Sequence, residues 1–310
     1  MGRIPGREVM DWLLAGDVAI QYAAHCDLLD TDRPDLRARI ATEGWGARYL
    51  AARNPDTSWG REFYQPKWTN SHYTLLDLKN LGLDPGNETV RESIAHIVAT
   101  EKRSDGGVGP AKTARGSDVC VAAMFLNYAS YFGAPEEQLR SVVDFILGEK
   151  MPDGGFNCQS NSGHPHHSSL HTSISVLEGF RQFLEDGNSW RAEEIASASQ
   201  DAREFILMHR FFRSDRTGEV IKPDFLRWPY PFRWKYNVLR ALDHFAGAGV
   251  GFDERMREAL EYIVSKRRPD GRWQVYAAYP GLQHFVMEEA GKPSRWITLI
   301  ASRVLRRYGD

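Results

Sequence analysis

Cys120 and His171 stand 51 positions apart, and that spacing matches one turn of a repeat that runs through the 310-residue sequence. If successive repeats superpose, the thiol and the imidazole occupy equivalent places on adjacent helices and approach each other. Asp118 lies two positions before Cys120, across the first turn of the same helix. Carboxylate, thiolate and imidazole are the three-ligand set of a catalytic Zn²⁺ site that keeps a fourth position open. Such an ion lowers the pKa of a bound thiol and makes it a nucleophile. The loop before His171 offers alternate ligands in His166, His167 and Cys158, with His164 beside them. His167 and His171 are spaced i, i+4 and would share a face if both were helical. Each residue also has a plainer reading. Cys120 suits a small buried hydrophobe, Asp118 a helix cap, and His171 a satisfied core histidine.

A second constellation runs from Arg227 to Tyr236. Arg227, Arg233 and Lys235 are interleaved with Trp228, Tyr230, Trp234 and Tyr236. The cations suit an anion such as diphosphate. The aromatics would line an apolar cavity and stabilise a cationic intermediate, or simply pack the wall. Trp68, Tyr73 and Trp296 open other helices and suit the same lining role.

The elements that must position these residues follow from a recurring turn. Asp56, Asp105, Asp153, Asp215 and Asp270 sit in turn sequences separated by 49, 48, 62 and 55 residues. A period near fifty suits a helical hairpin. One-sided stripes precede the turns: Leu139, Val142, Val143 and Ile146, and likewise Met256, Ala259, Leu260 and Ile263. Helices apolar on nearly every side follow them, among them 119–132, interrupted by Asn127 and Ser130, as well as 170–184, 234–248 and 296–308. One-sided helices alternating with all-sided ones predict two concentric rings. The whole chain, 1–310, reads as one all-α domain with repeats near 34–83, 86–133, 135–186, 190–248 and 253–308, preceded by an inner helix at 17–29. The acidic run Asp27, Asp30, Asp32 reads as the end of that first helix, or as a Mg²⁺ site.

Composition narrows the function classes. Thirty-nine basic and 41 acidic residues give a net charge of −2, which supplies no field for nucleic acid. Three cysteines are too few for a disulfide framework, and together with an N-terminus lacking an apolar leader they point to a cytoplasmic protein. No run approaches the length needed to cross a bilayer.

The segments Phe145-Ile146-x3-Lys150-x3-Gly154-x-Phe156 and Tyr262-Ile263-x3-Arg267-x3-Gly271-x-Trp273 resemble the repeat of squalene and oxidosqualene cyclases, with Lys150 and Arg267 in place of its Gln. The chain is thus similar to the superfamily of terpenoid cyclases and protein prenyltransferase β subunits. The resemblance implies an (α/α)6-type toroid of about six hairpins around a central cavity. Lys112, Arg115, Asp118, Cys120 and His171 follow the order of basic and zinc-binding residues in protein farnesyltransferase β subunits. It implies zinc on Asp118, Cys120 and His171, diphosphate on Lys112 and Arg115, and prenyl transfer onto an acceptor. A partner subunit is compatible with it but not required. The expected substrate is small and apolar or isoprenoid. The alternatives are a metal-free cyclase or isomerase with Asp118 as the acid, and a non-catalytic toroid that holds a lipid or peptide. Carbohydrate-processing toroids call for paired carboxylates at the mouth, and the sequence shows none there.

Overall fold

The computed structural model describes residues 5–110, 116–158 and 165–309. In chain order the α-helices are α1 (Arg7–Leu14), α2 (Val18–Leu29), α3 (Pro34–Arg39), α4 (Gly44–Ala51), α5 (Ser71–Asn80), α6 (Glu88–Thr100), α7 (Val119–Tyr131), α8 (Glu136–Gly148), α9 (Leu170–Glu185), α10 (Ala192–Met208), α11 (Val238–Gly247), α12 (Arg257–Ser265) and α13 (Arg295–Tyr308). Strand structure among the described residues is confined to isolated bridges and one antiparallel pairing of Trp273–Gln274 with Pro293–Ser294.

Helices α2, α5, α7, α9, α11 and α13 form an inner ring, and the others surround it. Helix α7 packs on α5 and α9, α11 packs on α9 and α13, and α13 returns to α2, so the last helix closes on the first. Burial follows the expected alternation. On α8 only Leu139, Val142, Val143 and Ile146 are buried, the stripe that its spacing predicts. On α7 burial runs continuously from Val121 to Ser130. Each fully buried aliphatic or aromatic side chain contributes about 1.5–3 kcal/mol of transfer free energy, which holds the outer helices to the ring.

The recurring Asp turn has a physical task. Asp105 accepts hydrogen bonds from the backbone N–H of Ser117 at 2.8 Å, the Ser117 hydroxyl at 2.8 Å and the Gly107 N–H at 3.0 Å. Asp153 likewise accepts the N–H of Ser168 at 2.8 Å and its hydroxyl. Each carboxylate therefore pins the residue just before an inner helix cap. The following glycines, Gly106 and Gly154, adopt φ of +90° and +91°, which favours residues without a Cβ. A hydroxyl in the next helix completes the joint: Ser71, Ser173 and Thr298 accept from the N–H of Trp59, Phe156 and Trp273 at 2.8, 3.0 and 3.0 Å.

Candidate functional site

The N-terminal ends of the inner helices, where the sequence places the chemistry, are largely filled by protein. The segment between the two short strands crosses this end. Trp68 donates its N–H to Leu282 O at 2.8 Å and its indole to Pro280 O at 2.9 Å, and Thr74 Oγ1 lies 2.9 Å from His284 Nε2. Trp68, Tyr73, Trp228, Tyr236 and Trp296 are all at most 5% exposed. Trp68 and Trp228 pack against this plug with Tyr73 beside Trp68, Tyr236 packs on Phe225 and donates to Phe211 O at 2.6 Å, and Trp296 borders the cavity along the ring axis. Arg233 is buried in the plug and ion-pairs with Asp77, whose other contact is the Tyr49 hydroxyl at 2.9 Å. Burial raises the Asp77 carboxyl, against the pull of Arg233. Arg227 instead lies at the surface, 3.8 Å from Asp224. Lys235 Nζ stands 3.9 Å from the ring centre of the half-buried Trp234. Lys112, Arg115 and His164 lie outside the described residues.

The expected zinc ligands do not gather. Asp118 is the N-cap residue of α7 and Cys120 lies in its first turn, but the side chain that meets Cys120 is Cys158: its Sγ accepts the Cys120 N–H at 3.3 Å. His171 turns elsewhere. Its Nδ1 accepts the backbone N–H of Tyr236 at 2.8 Å, and its ring packs against Phe225 and Trp234. A neutral imidazole that accepts at Nδ1 carries its proton on Nε2, so neither nitrogen offers a lone pair to a metal. Burial, with Lys222, Lys235 and Arg240 nearby, lowers the His171 pKa to about 3. His166 and His167 are exposed and precede α9, so His167 shares no helix face with His171. Among the described residues, no group of three or more His, Cys, Asp or Glu side chains is placed to hold one metal ion. The acidic run near residue 30 is likewise occupied: Asp27 pairs with Arg303 and Asp30 with Arg306.

The main cavity lies along the axis of the ring. It measures about 580 Å³ and takes residues from all six inner helices, mostly from their C-terminal halves. Tyr230, Arg233 and Trp296 close it toward the plug. Four carboxylates line it, and each is held by an arginine. Glu178 takes a bidentate contact from Arg240 at 2.8 and 2.6 Å, Glu185 pairs with Arg181 at 2.7 Å, and Arg303 bridges Asp243 and Asp27. Three lining cations have no carboxylate within ion-pair distance among the described residues: Arg37, Lys79 and Arg307, the last donating to the backbone carbonyls of Gly249 and Val250 at 3.0 and 3.4 Å. Arg37 donates to Tyr131 Oη at 2.7 Å, and Lys79 has the Tyr131 ring 5.8 Å away. Burial lowers the Lys79 pKa from 10.5 to about 8. Further lining groups lack a hydrogen-bond partner among the described residues: Asn127 Oδ1, both ring nitrogens of His244, and Trp296 Nε1. Such orphans are costly unless a ligand or water meets them. This lining mixes charged and polar groups with apolar ones such as Leu76, Phe232 and Ile300, where the sequence reading expects an apolar pocket.

These residues carried a signal that the motif reading missed. Glu178, Arg181, Gln182 and Glu185, then Arg240, Asp243, His244 and Gly247, recur at three- and four-residue spacing inside helices otherwise apolar all round. That is a polar stripe on a buried helix, and it marks the face toward the axis.

No family model matches the chain, and no curated relative matches its sequence. Its fold is that of the α/α-toroid enzymes. A polysaccharide lyase superposes with a TM-score of 0.53 at 14% identity, covering 97% of each chain. A glycosyl hydrolase family 88 protein from Bacteroides vulgatus gives 0.54 at 13% identity, over 94% of this chain and 90% of its own. The type II terpene cyclase MstE from Scytonema gives 0.35 at 13% identity, over 84% of this chain and 93% of its own, too loose a fit to argue from. No helix among the described residues is long and apolar enough to cross a membrane.

Proposed function

We propose that the chain is an enzyme that holds a polar, anionic, hydroxyl-bearing substrate, of the acidic-carbohydrate class, in the axial cavity. The observation that carries this reading is the charge pairing of the lining: every lining carboxylate is taken by an arginine, which leaves Lys79, Arg37 and Arg307 to meet an anion. The orphaned polar atoms of Asn127, His244 and Trp296 would meet hydroxyl groups. A prenyl chain there would have to displace water from ion pairs without replacing it, which is costly. Lys79, mostly protonated at pH 7 and half protonated near pH 8, is suited to carry a proton to or from the substrate. Two structural neighbours bear names of carbohydrate-active enzymes, which agrees with this reading without deciding the reaction.

The test is turnover of uronate-containing oligosaccharides followed by mass spectrometry, with Lys79→Met and Arg37→Met beside the parent chain. Products from the parent that fall at least about 100-fold in Lys79→Met support the reading. Products unchanged in both variants, or none from any acidic sugar, overturn it.

A second reading keeps the expected isoprenoid chemistry, and one feature favours it. At the plugged end Lys67 lies 5.1 Å from the Tyr64 ring and Lys235 lies 3.9 Å from Trp234, cations among aromatics with no carboxylate in ion-pair range among the described residues. A prenyl diphosphate would place its charge on these lysines. Polyprenyl diphosphates in the same assay distinguish the two readings, because their turnover would respond to Lys235→Met and not to Lys79→Met.

A further inference from the structure

The N-terminus of α7 is capped in an unusual way. Its N-cap residue, Asp118, makes no side-chain bond to the first turn. The sulfur of Cys158, from the loop ahead of α9, takes that place and accepts the N–H of Cys120, the second residue of the helix. The Cys120 thiol also hydrogen-bonds the Cys158 sulfur. Thr172, the third residue of α9, brings its hydroxyl within 3.6 Å of the same atom. One sulfur thus sits between the starts of two inner helices, within reach of three donors, and a second sulfur lies against it. Neither cysteine is in a disulfide.

We infer that Cys158 and Cys120 form a reactive dithiol, with Cys158 as the attacking sulfur and Cys120 as the resolving one, which small-molecule disulfides convert to an intramolecular disulfide. The donors stabilise negative charge on Cys158, as does its place at a helix N-terminus.

The steps balance. Cys158 thiolate attacks one sulfur of the small disulfide, forms a mixed disulfide and releases one small thiolate. Cys120 then gives up its proton and attacks the Cys158 sulfur, closing the protein disulfide and releasing the second small thiolate. The protein dithiol loses two electrons and the small disulfide gains them. The product would tie the α7 start to the loop that leads into α9.

The experiment treats the full chain with oxidised glutathione under native conditions and reads intact mass, tryptic disulfide mapping and native thiol titration. The expected result is a loss of about 2 Da, a Cys120–Cys158 linked peptide, and reversal by dithiothreitol. Of the three cysteines only Cys26 should remain titratable as a free thiol before dithiothreitol is added. In Cys120→Ser the glutathione adduct should persist, and it should map to Cys158. In Cys158→Ser neither adduct nor disulfide should form. Because either variant could lose the fold, the parent chain is also alkylated with limiting iodoacetamide, where Cys158 should react at least about tenfold faster than Cys26. An adduct on Cys26 or Cys120 in preference to Cys158, or a folded parent chain that forms no linked peptide, overturns the inference.

Discussion

Arg303 on α13 reaches both Asp243 on α11 and Asp27 on α2, the latter at 2.8 Å, so one guanidinium ties together the three inner helices at which the ring closes. Each of these side chains keeps between 20% and 33% of its surface accessible, and all three line the axial cavity. Water there screens the pairs, so their worth lies between that of an exposed pair and a buried one. Arg303→Met leaves two carboxylates facing one cavity without a cation. The expected loss is about 2–3 kcal/mol of unfolding free energy, measured by urea denaturation. Adding Asp243→Asn should recover part of it, since the second change removes the repulsion the first creates. A double variant less stable than Arg303→Met would contradict this account.

Lys79 makes ligand binding and stability depend on pH in opposite senses. Its folded pKa, lowered by burial to about 8, means that its positive charge fades as pH rises through 8. Binding of an anionic sugar in the axial cavity should therefore weaken between pH 7 and 9. Lys79→Met should bind weakly and without that pH dependence, as isothermal titration calorimetry would show. In the unfolded chain the same lysine keeps its proton to its ordinary 10.5. Between 8 and 10.5 the unfolded state then holds more protons at this site, so its contribution to stability grows with pH. Lys79→Met should stabilise the ligand-free protein by about 1–3 kcal/mol at pH 7 and by almost nothing above pH 10.

The ring itself was legible. The stripe on α8, the continuous burial on α7 and the Asp turns all follow from side-chain period and turn chemistry, which act over a few residues. The site was less legible because its position depends on how the ring closes. Trp68, Tyr73 and Trp228 were readable as residues that open inner helices, but only the path of the 275–292 segment shows that they pack a plug. Cys120 and His171 were readable as one repeat apart, yet equivalent positions do not aim equivalent side chains at one point. The Tyr236 N–H holds the imidazole away, while Cys158 fills the place beside the thiol. Asn127 read as an interruption in an apolar helix, whereas in the structure it faces the axis.

The hydrogen bond to His171 can be tested directly. With burial first among the causes, its pKa falls to about 3, so the ring should stay neutral from pH 8 down to at least 5. Acceptance of the Tyr236 N–H at Nδ1 fixes the proton on Nε2. Nitrogen-15 NMR of histidine-labelled protein should therefore show an unprotonated Nδ1 that does not titrate across this range. A ring that titrates near 6.5, or one protonated at Nδ1, would mean that the imidazole is free to serve as the metal ligand that its sequence position suggests.

The Asp turns predict a graded series. Asp105 receives three hydrogen bonds, one from Gly107 within its own turn and two from Ser117, twelve residues on, that join the hairpin to the next helix. Among the described residues Asp56 accepts hydrogen bonds from Ser58 alone, two residues away, through its N–H and hydroxyl. Asp105→Ala should therefore cost about 1–2 kcal/mol, and Asp56→Ala about 0.5 kcal/mol or less. The acid limb tests the charge on Asp105. Burial raises the Asp105 carboxyl, but the bonds from Ser117 and Gly107 outweigh it and hold the group below its ordinary 3.8. A carboxyl depressed in the folded state adds stability that is present above the unfolded pKa and lost as pH falls through the folded one. Chemical denaturation at pH 7 and at pH 3 should thus show the gap between Asp105→Ala and the parent chain narrowing in acid. A gap that widens would mean that the carboxyl is neutral in the folded protein, and that the turn is held by packing rather than by its charge.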